Sequence, residues 1–328
     1  MPISTPLTSL LGIRHPILSA PMAIIAGSRL VTAVGEAGGF GILGGGYGEK
    51  EWLSLEIAKL QNASVPFGIG FITWSMARQP ELLEMALAAR PRAIMLSFGD
   101  PKPHAPRIKA AGCLLICQVQ TEEMAKQALD ASADILIAQG TEAGGHGASR
   151  TTFDIVPAIV DLAAGRVPVV AAGGIADGRG MAAMMVMGAS GVLLGTRFYA
   201  SIECDGAEEA KKRICAASSG ETVRGVIFDV SRQIWWPAPF TARTLINDHA
   251  RRWMGKETEL IHNIEAVTAE YFAARDAGNF DVAGVFAGEA VGLIHDIPPA
   301  AVIVERIVTE ADQILSGRRN FPAARATP

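Results

Sequence analysis

The chain has little of what would direct it to a membrane, a nucleic acid or an oxidising compartment. Its 328 residues include only 4 cysteines, Cys113, Cys117, Cys204 and Cys215. They lack paired C-x-x-C spacing, and the first two sit in an apolar run where cysteine behaves as a small hydrophobe, so neither disulfide nor zinc site is expected. Lys and Arg number 29 against 33 Asp and Glu, a net charge of -4. Phosphate-binding surfaces normally carry a basic excess, so nucleic acid is not an expected partner. No apolar run reaches the ~18 residues that a membrane helix needs, and the Met1-Pro-Ile-Ser-Thr-Pro6 start has no basic or apolar leader pattern. The expectation is a soluble, cytoplasmic protein.

Several chemical signatures are missing too. There is no Walker-type lysine loop, no G-x-G-x-x-G after a strand, and no G-x-S-x-G elbow. No His, Asp and Glu cluster has metal-ligand spacing, so no metal is expected. A nucleoside triphosphate and a Rossmann-bound dinucleotide are therefore not indicated, and the ligand is expected to be small.

What the chain does have is repetition. Short apolar, β-branched-rich runs recur at Pro16–Ala20, Phe40–Leu43, Pro66–Ile72, Ala93–Phe98, Cys113–Val119, Asp134–Ala138, Val167–Ala172 and Gly191–Gly195. Helical stretches rich in Ala, Met and Leu lie between them, such as Glu122–Ala131 and Gly178–Gly188. Runs this apolar suit parallel strands covered on both faces. Eight such units fit an α/β architecture of the (β/α)8 TIM-barrel kind better than an open doubly wound sheet.

After Thr196 the repetition stops, and Glu208 to Leu293 carries charged and aromatic helical stretches broken by Trp235-Trp236-Pro-Ala-Pro239. The expected organisation is a barrel over residues 1–204, a small helical appended domain over 205–297, and a C-terminal segment 298–328 whose amphipathic helix, from Pro298 to Gly317, packs back on the barrel.

In such barrels the ligand lies over the C-terminal strand ends, and phosphate commonly sits on the loops after strands seven and eight. Here those ends read Ala171-Ala-Gly173-Gly174-Ile-Ala-Asp-Gly-Arg179 and Leu193-Leu-Gly195-Thr196-Arg197. Glycines let backbone N–H groups close on an anion, the helix starting near Gly178 would add its positive end, and Thr196 supplies a hydroxyl. Tight barrel-rim turns are the plainer explanation for either loop alone. Strand one leaves through Ser19-Ala-Pro21-Met22-Ala23, apolar and either suited to a flat ring or a plain strand-to-loop exit, and strand five ends near Gln118, an amide in an apolar run. Gln118 is expected either to face a carbonyl-rich ring or to be a core amide satisfied by backbone.

Strand six runs into Gln139-Gly-Thr-Glu-Ala-Gly144-Gly-His146-Gly. A histidine on a glycine loop is expected to be exposed, approachable by a flat ligand and able to move a proton near neutral pH, which makes His146 the leading catalytic candidate. His15 lies on the wrong end of strand one, and His104, His249, His262 and His295 lack partner spacing. Trp74, Trp235 and Trp236 near the loops would give an aromatic-walled pocket, although core packing is the commoner fate of such residues.

Together, Gly12-Ile-Arg-His-Pro-Ile-Leu-Ser-Ala-Pro-Met22, the E-A-G-G-H loop ending at His146, Val169-Val-Ala-Ala-Gly-Gly-Ile-Ala-Asp-Gly-Arg179, Gly195-Thr-Arg-Phe and Ala287-Gly-Glu-Ala-Val-Gly-Leu-Ile294 resemble the nitronate monooxygenases, formerly called 2-nitropropane dioxygenases. The resemblance implies an FMN-binding TIM barrel with a helical substrate domain. It would place Pro21, Met22 and Ala23 beneath the flavin ring, Gln118 and Gln139 at its polar edge and Gly144 beside it. Gly173, Gly174, Gly195 and Thr196 would hold the phosphate, and His146 would be the catalytic histidine. The implied activity is oxidation of alkyl nitronates or nitroalkanes with O2. The alternatives are a reductase passing electrons from NAD(P)H to a quinone or enoyl thioester, and a non-catalytic FMN-binding barrel. Two positions depart from the family pattern: Gly70 stands where many members carry asparagine, and Glu289 where many carry glutamine.

Overall fold

A computed structural model describes residues 3–318; residues 1–2 and 319–328, the outer ends of two of the expected segments, lie outside the described residues. All eight expected runs form strands: β1 Ile17–Ser19, β2 Gly41–Gly44, β3 Phe67–Ile72, β4 Ala93–Ser97, β5 Leu114–Val119, β6 Ile135–Gln139, β8 Val169–Ala172 and β9 Gly191–Leu194. A further short strand, β7 Gly145–Gly147, falls between β6 and β8. The eight pair in parallel in the order β1-β9-β8-β6-β5-β4-β3-β2. A parallel bridge between Leu18 and Phe40 closes the ring, with the Ser19 N–H donating to the Phe40 carbonyl at 3.0 Å. The chain is a TIM barrel.

Side-chain alternation along each strand sorts the core into two layers. Leu18, Ile42, Met95, Ile116, Ile137 and Leu193 point inward and form the barrel's own sealed core. Their neighbours, such as Ile17, Leu43, Ile94, Leu115, Leu136 and Val192, face the surrounding helices. Both layers exclude water, which is why the strands read as continuous apolar runs rather than alternating ones.

The intervening helices follow local rules. Thr121 caps Glu122–Asp130 by accepting from the Met124 N–H, and Asp177 caps Gly178–Val186 by accepting from the N–H groups of Arg179 and Gly180. The final helix, Ala300–Leu315, buries Ile303, Val304, Ile307, Val308 and Ala311 at helical spacing and packs on the helices Ser28–Glu36 and Gly178–Val186. Arg197 ties its approach segment to the barrel, donating to Asp296 at 3.0 Å.

The segment after Thr196 departs from a purely helical appendage. It contains β10 Thr222–Gly225 and β11 Thr241–Leu245, which form a three-stranded antiparallel sheet with β7 in the order β10-β11-β7. Ala242 of β11 stands opposite His146. The barrel loop and the appended segment are thus one sheet. Around it, Ile227–Ser231, Asp248–Trp253, Glu257–His262 and Ile264–Asp276 build a small core of Phe228, Trp253, Leu260 and Tyr271. No helix among the described residues is long and apolar enough to cross a membrane.

Candidate active site

The C-terminal end of the barrel is made of small residues and amides. Ile116 and Ile137 face the barrel interior, so by the two-residue period Gln118 and Gln139 share that side one step nearer the mouth. Gln118 is therefore not satisfied by backbone. Its amide and that of Gln120 both donate to the Gln139 Oε1, at 2.6 and 2.7 Å, while the Gln139 amide donates to the His146 carbonyl at 3.0 Å. Gln120, only 1% exposed, keeps its own Oε1 buried without a partner.

Pro21 and Met22 fold across the opposite side of the mouth, and two glycines make this possible. A Cβ at Gly44 would lie 2.3 Å from the Met22 carbonyl oxygen, and one at Gly70 would lie 2.5 Å from the Pro21 Cβ. The Gly70 departure therefore has a local cause: Pro21 occupies the space that an asparagine side chain would take. Gly70→Ala is expected to cost about 1–3 kcal/mol as overpacking against a rigid ring. An unchanged thermal midpoint for that variant would show that the segment at Pro21 moves freely. Gly195 is different, since a Cβ there would meet nothing closer than the Ala20 Cβ at 3.6 Å.

The loops after β8 and β9 lie on this same end. Gly173 and Gly174 have φ of 109° and 70°, a left-handed pair that a side chain would strain. The helix Gly178–Val186 does not offer its positive end to an anion, contrary to expectation. The Gly178 N–H donates to Glu310 at 2.8 Å, and the next two N–H groups go to Asp177. The final helix has supplied the carboxylate that satisfies this helix end. The Thr196 hydroxyl oxygen accepts from the Gly288 N–H at 2.9 Å.

His146 is not the exposed loop residue that its glycines imply. It is 8% exposed and sits in β7, where its backbone is registered against β11. Its Nε2 lies 2.8 Å from an oxygen of Asp229, which is 3% exposed, and the other oxygen of Asp229 accepts from Arg232 at 2.5 Å. Burial pulls the His146 pKa below the usual imidazole value; Asp229 opposes this, and the cations of Arg232 and Arg224 reinforce it. A neutral imidazole at pH 7 follows.

One face of the imidazole is covered by Trp236, stacked at 3.5 Å with 10° between the planes. Trp236 continues into an aromatic wall with Trp74, Phe98, Phe240 and Tyr47, whose hydroxyl accepts from the Trp236 indole N–H at 3.2 Å. Burial pushes the Tyr47 phenol up to about 12. Arg232 stacks over Phe286 at 4.9 Å. Trp74 and Trp236 thus form a wall, while Trp235 is 60% exposed and takes no part in it. A cleft of about 190 Å³ opens beside the wall, lined by Phe98, Gln118, Met124 and Phe240.

The loop carrying His146 is held from below by two arginines. Arg224 donates to the carbonyls of Thr141 at 2.9 Å, Ala143 at 3.0 Å and Gly147 at 3.2 Å, and to that of Thr241. Burial lowers its pKa to about 10, with Arg243 adding to the effect. Arg243 donates to the Thr141 carbonyl at 2.8 Å and pairs with Glu289 at 2.8 Å. The second departure therefore also has a role, since the carboxylate of Glu289 balances Arg243. At Gly144 a Cβ would lie 2.6 Å from the Ala287 carbonyl carbon and the Gly288 nitrogen, so this glycine lets the loop dock on residues 287–288.

The structure brings together His146, Gln118 and Gln139 directly, and sets Pro21, Met22, Ala23, Gly173, Gly174, Gly195 and Thr196 on the same end of the barrel. Asp229, Arg232, Arg224 and Gln120 are additions that no motif announced. One signal was present: Asp229 interrupts the apolar run Val226-Ile-Phe-Asp229-Val, where a carboxylate needs a partner.

The family model for nitronate monooxygenase matches residues 4–310. The nitronate monooxygenase npaC of Metarhizium robertsii is 34% identical over 92% of each chain. A (3aS,4S,5R,7aS)-5-hydroxy-7a-methyl-1-oxo-octahydro-1H-indene-4-carboxyl-CoA dehydrogenase of Mycobacterium tuberculosis is 29% identical over 95% of this chain and 97% of its own. The solved structure of FabK from Thermotoga maritima superposes with a TM-score of 0.85 at 33% identity, covering 96% of this chain and 98% of that one.

Proposed function

Because the chain belongs to the nitronate monooxygenase family of oxidoreductases, we propose that it oxidises alkyl nitronates or nitroalkanes with O2, yielding a carbonyl product and nitrite, with FMN as its cofactor. The observation that carries this reading is His146: a buried histidine with a fixed partner, set against an aromatic wall at the barrel mouth.

The residues of the mouth fit FMN. The open backbone at Gly195, the left-handed pair Gly173 and Gly174, and the paired amides of Gln118 and Gln139 at the mouth support this reading. Pro21, Met22 and Ala23 would lie along the ring, Gln118 and Gln139 at its polar edge, and Gly144 beside it. Gly173, Gly174, Gly195 and Thr196 would take the phosphate through backbone N–H groups and a hydroxyl. In this reading residues 1–204 form the flavin barrel, 205–297 supply the substrate side and 298–328 form the closing segment. When bound, FMN supplies the two-electron acceptor.

The chain's own groups do the rest. A neutral His146 removes the α-proton of a nitroalkane, and the imidazolium so formed holds the nitronate by a charge-assisted hydrogen bond. Trp236, Phe98 and Phe240 exclude water and present an apolar surface to the alkyl part of the substrate. The purified flavoprotein is expected to consume oxygen with a propyl nitronate and no NAD(P)H. Oxygen uptake that appears only with a pyridine nucleotide would refute the assignment.

One observation favours a second reading. The name of the mycobacterial relative specifies a CoA-ester dehydrogenase, so a thioester substrate is the principal rival. Anaerobic flavin reduction by an acyl-CoA thioester would identify a dehydrogenase of that kind, and anaerobic flavin reduction by NADH, with electrons passed to a quinone or enoyl thioester, would identify a reductase.

A further inference from the structure

We propose that Asp229 is a positioning residue that holds His146 in its Nε2–H tautomer, so that Nδ1 is the nitrogen that exchanges a proton with the substrate. The inference rests on the proton-handling role assigned to His146 above. A carboxylate has only acceptor sites, so the 2.8 Å contact from Asp229 to Nε2 is a hydrogen bond only if Nε2 carries the hydrogen. In the neutral ring the lone pair is then on Nδ1, which has no hydrogen bond to any described residue. The other ring nitrogen of a working histidine is commonly fixed by such a partner.

Three features show that the pair is built rather than incidental. Asp229 comes from the helix Ile227–Ser231, 83 residues away in sequence, and its helix is anchored by Phe228 in the small core of the appended segment. Arg232 takes the second oxygen at 2.5 Å, so the carboxylate has a counter-charge and cannot rotate away from His146 without losing it. Trp236 stacks on one face of the ring and Phe286 stands 6.0 Å from it, so the plane of the imidazole, and with it the direction of Nδ1, is fixed. The charged and titratable groups around the ring are Asp229 and Arg232 from this helix and its end, Arg224 from β10, and Tyr47, which stands beside Arg232.

Asp229→Asn and Asp229→Glu test the assignment. In holoprotein labelled with 15N-histidine, with the His146 signals identified by their loss in His146→Gln, wild type is expected to show a protonated Nε2 and an unprotonated Nδ1 at neutral pH. Asp229→Asn, whose amide can donate as well as accept, is expected to give a mixed or inverted tautomer. Its kcat is expected to fall about 10- to 100-fold, as for other partners that orient a catalytic ligand, with KM little changed. Because Asp229 favours the imidazolium, its removal should move the acid limb of the pH profile to lower pH; a merely structural loss would leave the limb in place. Asp229→Glu is expected to restore part of kcat and the limb. An Nδ1–H tautomer in wild type overturns the proposal whether or not the variants fold, as do variants with unchanged tautomer and pH profile. Should nitronate prove not to be the substrate, the tautomer and the pH dependence of NADH oxidation still decide the matter separately.

Discussion

His146→Ala should lower turnover by about 10²–10⁴-fold while the protein still purifies with its flavin. The size of the effect follows from what is lost: a base held at the mouth by a fixed partner, with its basicity set by burial on one side and Asp229 on the other. Flavin retention follows from where the other contacts originate. Gln118 and Gln139 are held to each other rather than to the imidazole, and the glycines after β8 and β9 belong to the barrel frame. Asp229 keeps Arg232 in the variant, so no carboxylate is left buried alone. Steady-state turnover and the flavin absorbance spectrum check the two halves separately. Turnover within a few-fold of wild type would remove His146 from the chemistry.

Arg224→Ala should be the most destabilising of these substitutions. The guanidinium supplies donors to the carbonyls of Thr141, Ala143, Gly147 and Thr241, and no carboxylate forms a salt bridge with it among the described residues. It serves as a scaffold around which the glycine loop is wrapped. Hydrogen bonds to a charged donor are worth about 1.5–3 kcal/mol each and do not add fully, so a loss of about 3–5 kcal/mol is expected. For a chain of 328 residues that corresponds to a thermal midpoint lowered by roughly 4–7 °C. Activity should fall further than stability implies, because a displacement of about 1 Å at His146 alone costs on the order of 100-fold. Arg224→Lys should rescue little, since one ammonium cannot reproduce the planar fork. Differential scanning calorimetry and turnover of both variants check this; a wild-type midpoint for Arg224→Ala would show that the loop holds itself.

The barrel was legible in the sequence because burial on both faces leaves a plain mark. Runs such as Leu114-Leu-Ile-Cys-Gln-Val119 carry their strand identity without alternation, and the structure moves their ends by only a residue or two. The three-stranded sheet left no such mark. Its strands contain Arg224, half-buried, and Arg243, buried, charged residues held inward because loop carbonyls accept from them, and β7 is a three-residue Gly-His-Gly with no period to read. The same hidden pairing explains why His146 looked exposed.

Glycines misled in a second way. Their number at the mouth pointed to ligand approach, yet Gly44 and Gly70 accommodate Pro21 and Met22, and Gly144 accommodates residues 287–288. A sequence shows that a backbone comes close, but not whose. Asp229 was out of reach for a related reason, because nothing local in Ile227–Ser231 reveals a partner on a loop 83 residues earlier.

The most direct test is anaerobic stopped-flow mixing of the oxidised flavoprotein with excess alkyl nitronate, and in parallel with NADH, while the flavin absorbance is followed. The account predicts bleaching by the nitronate at a rate that supports turnover, and little or none by NADH. A flavin that stays oxidised with excess nitronate and is bleached by NADH would contradict it.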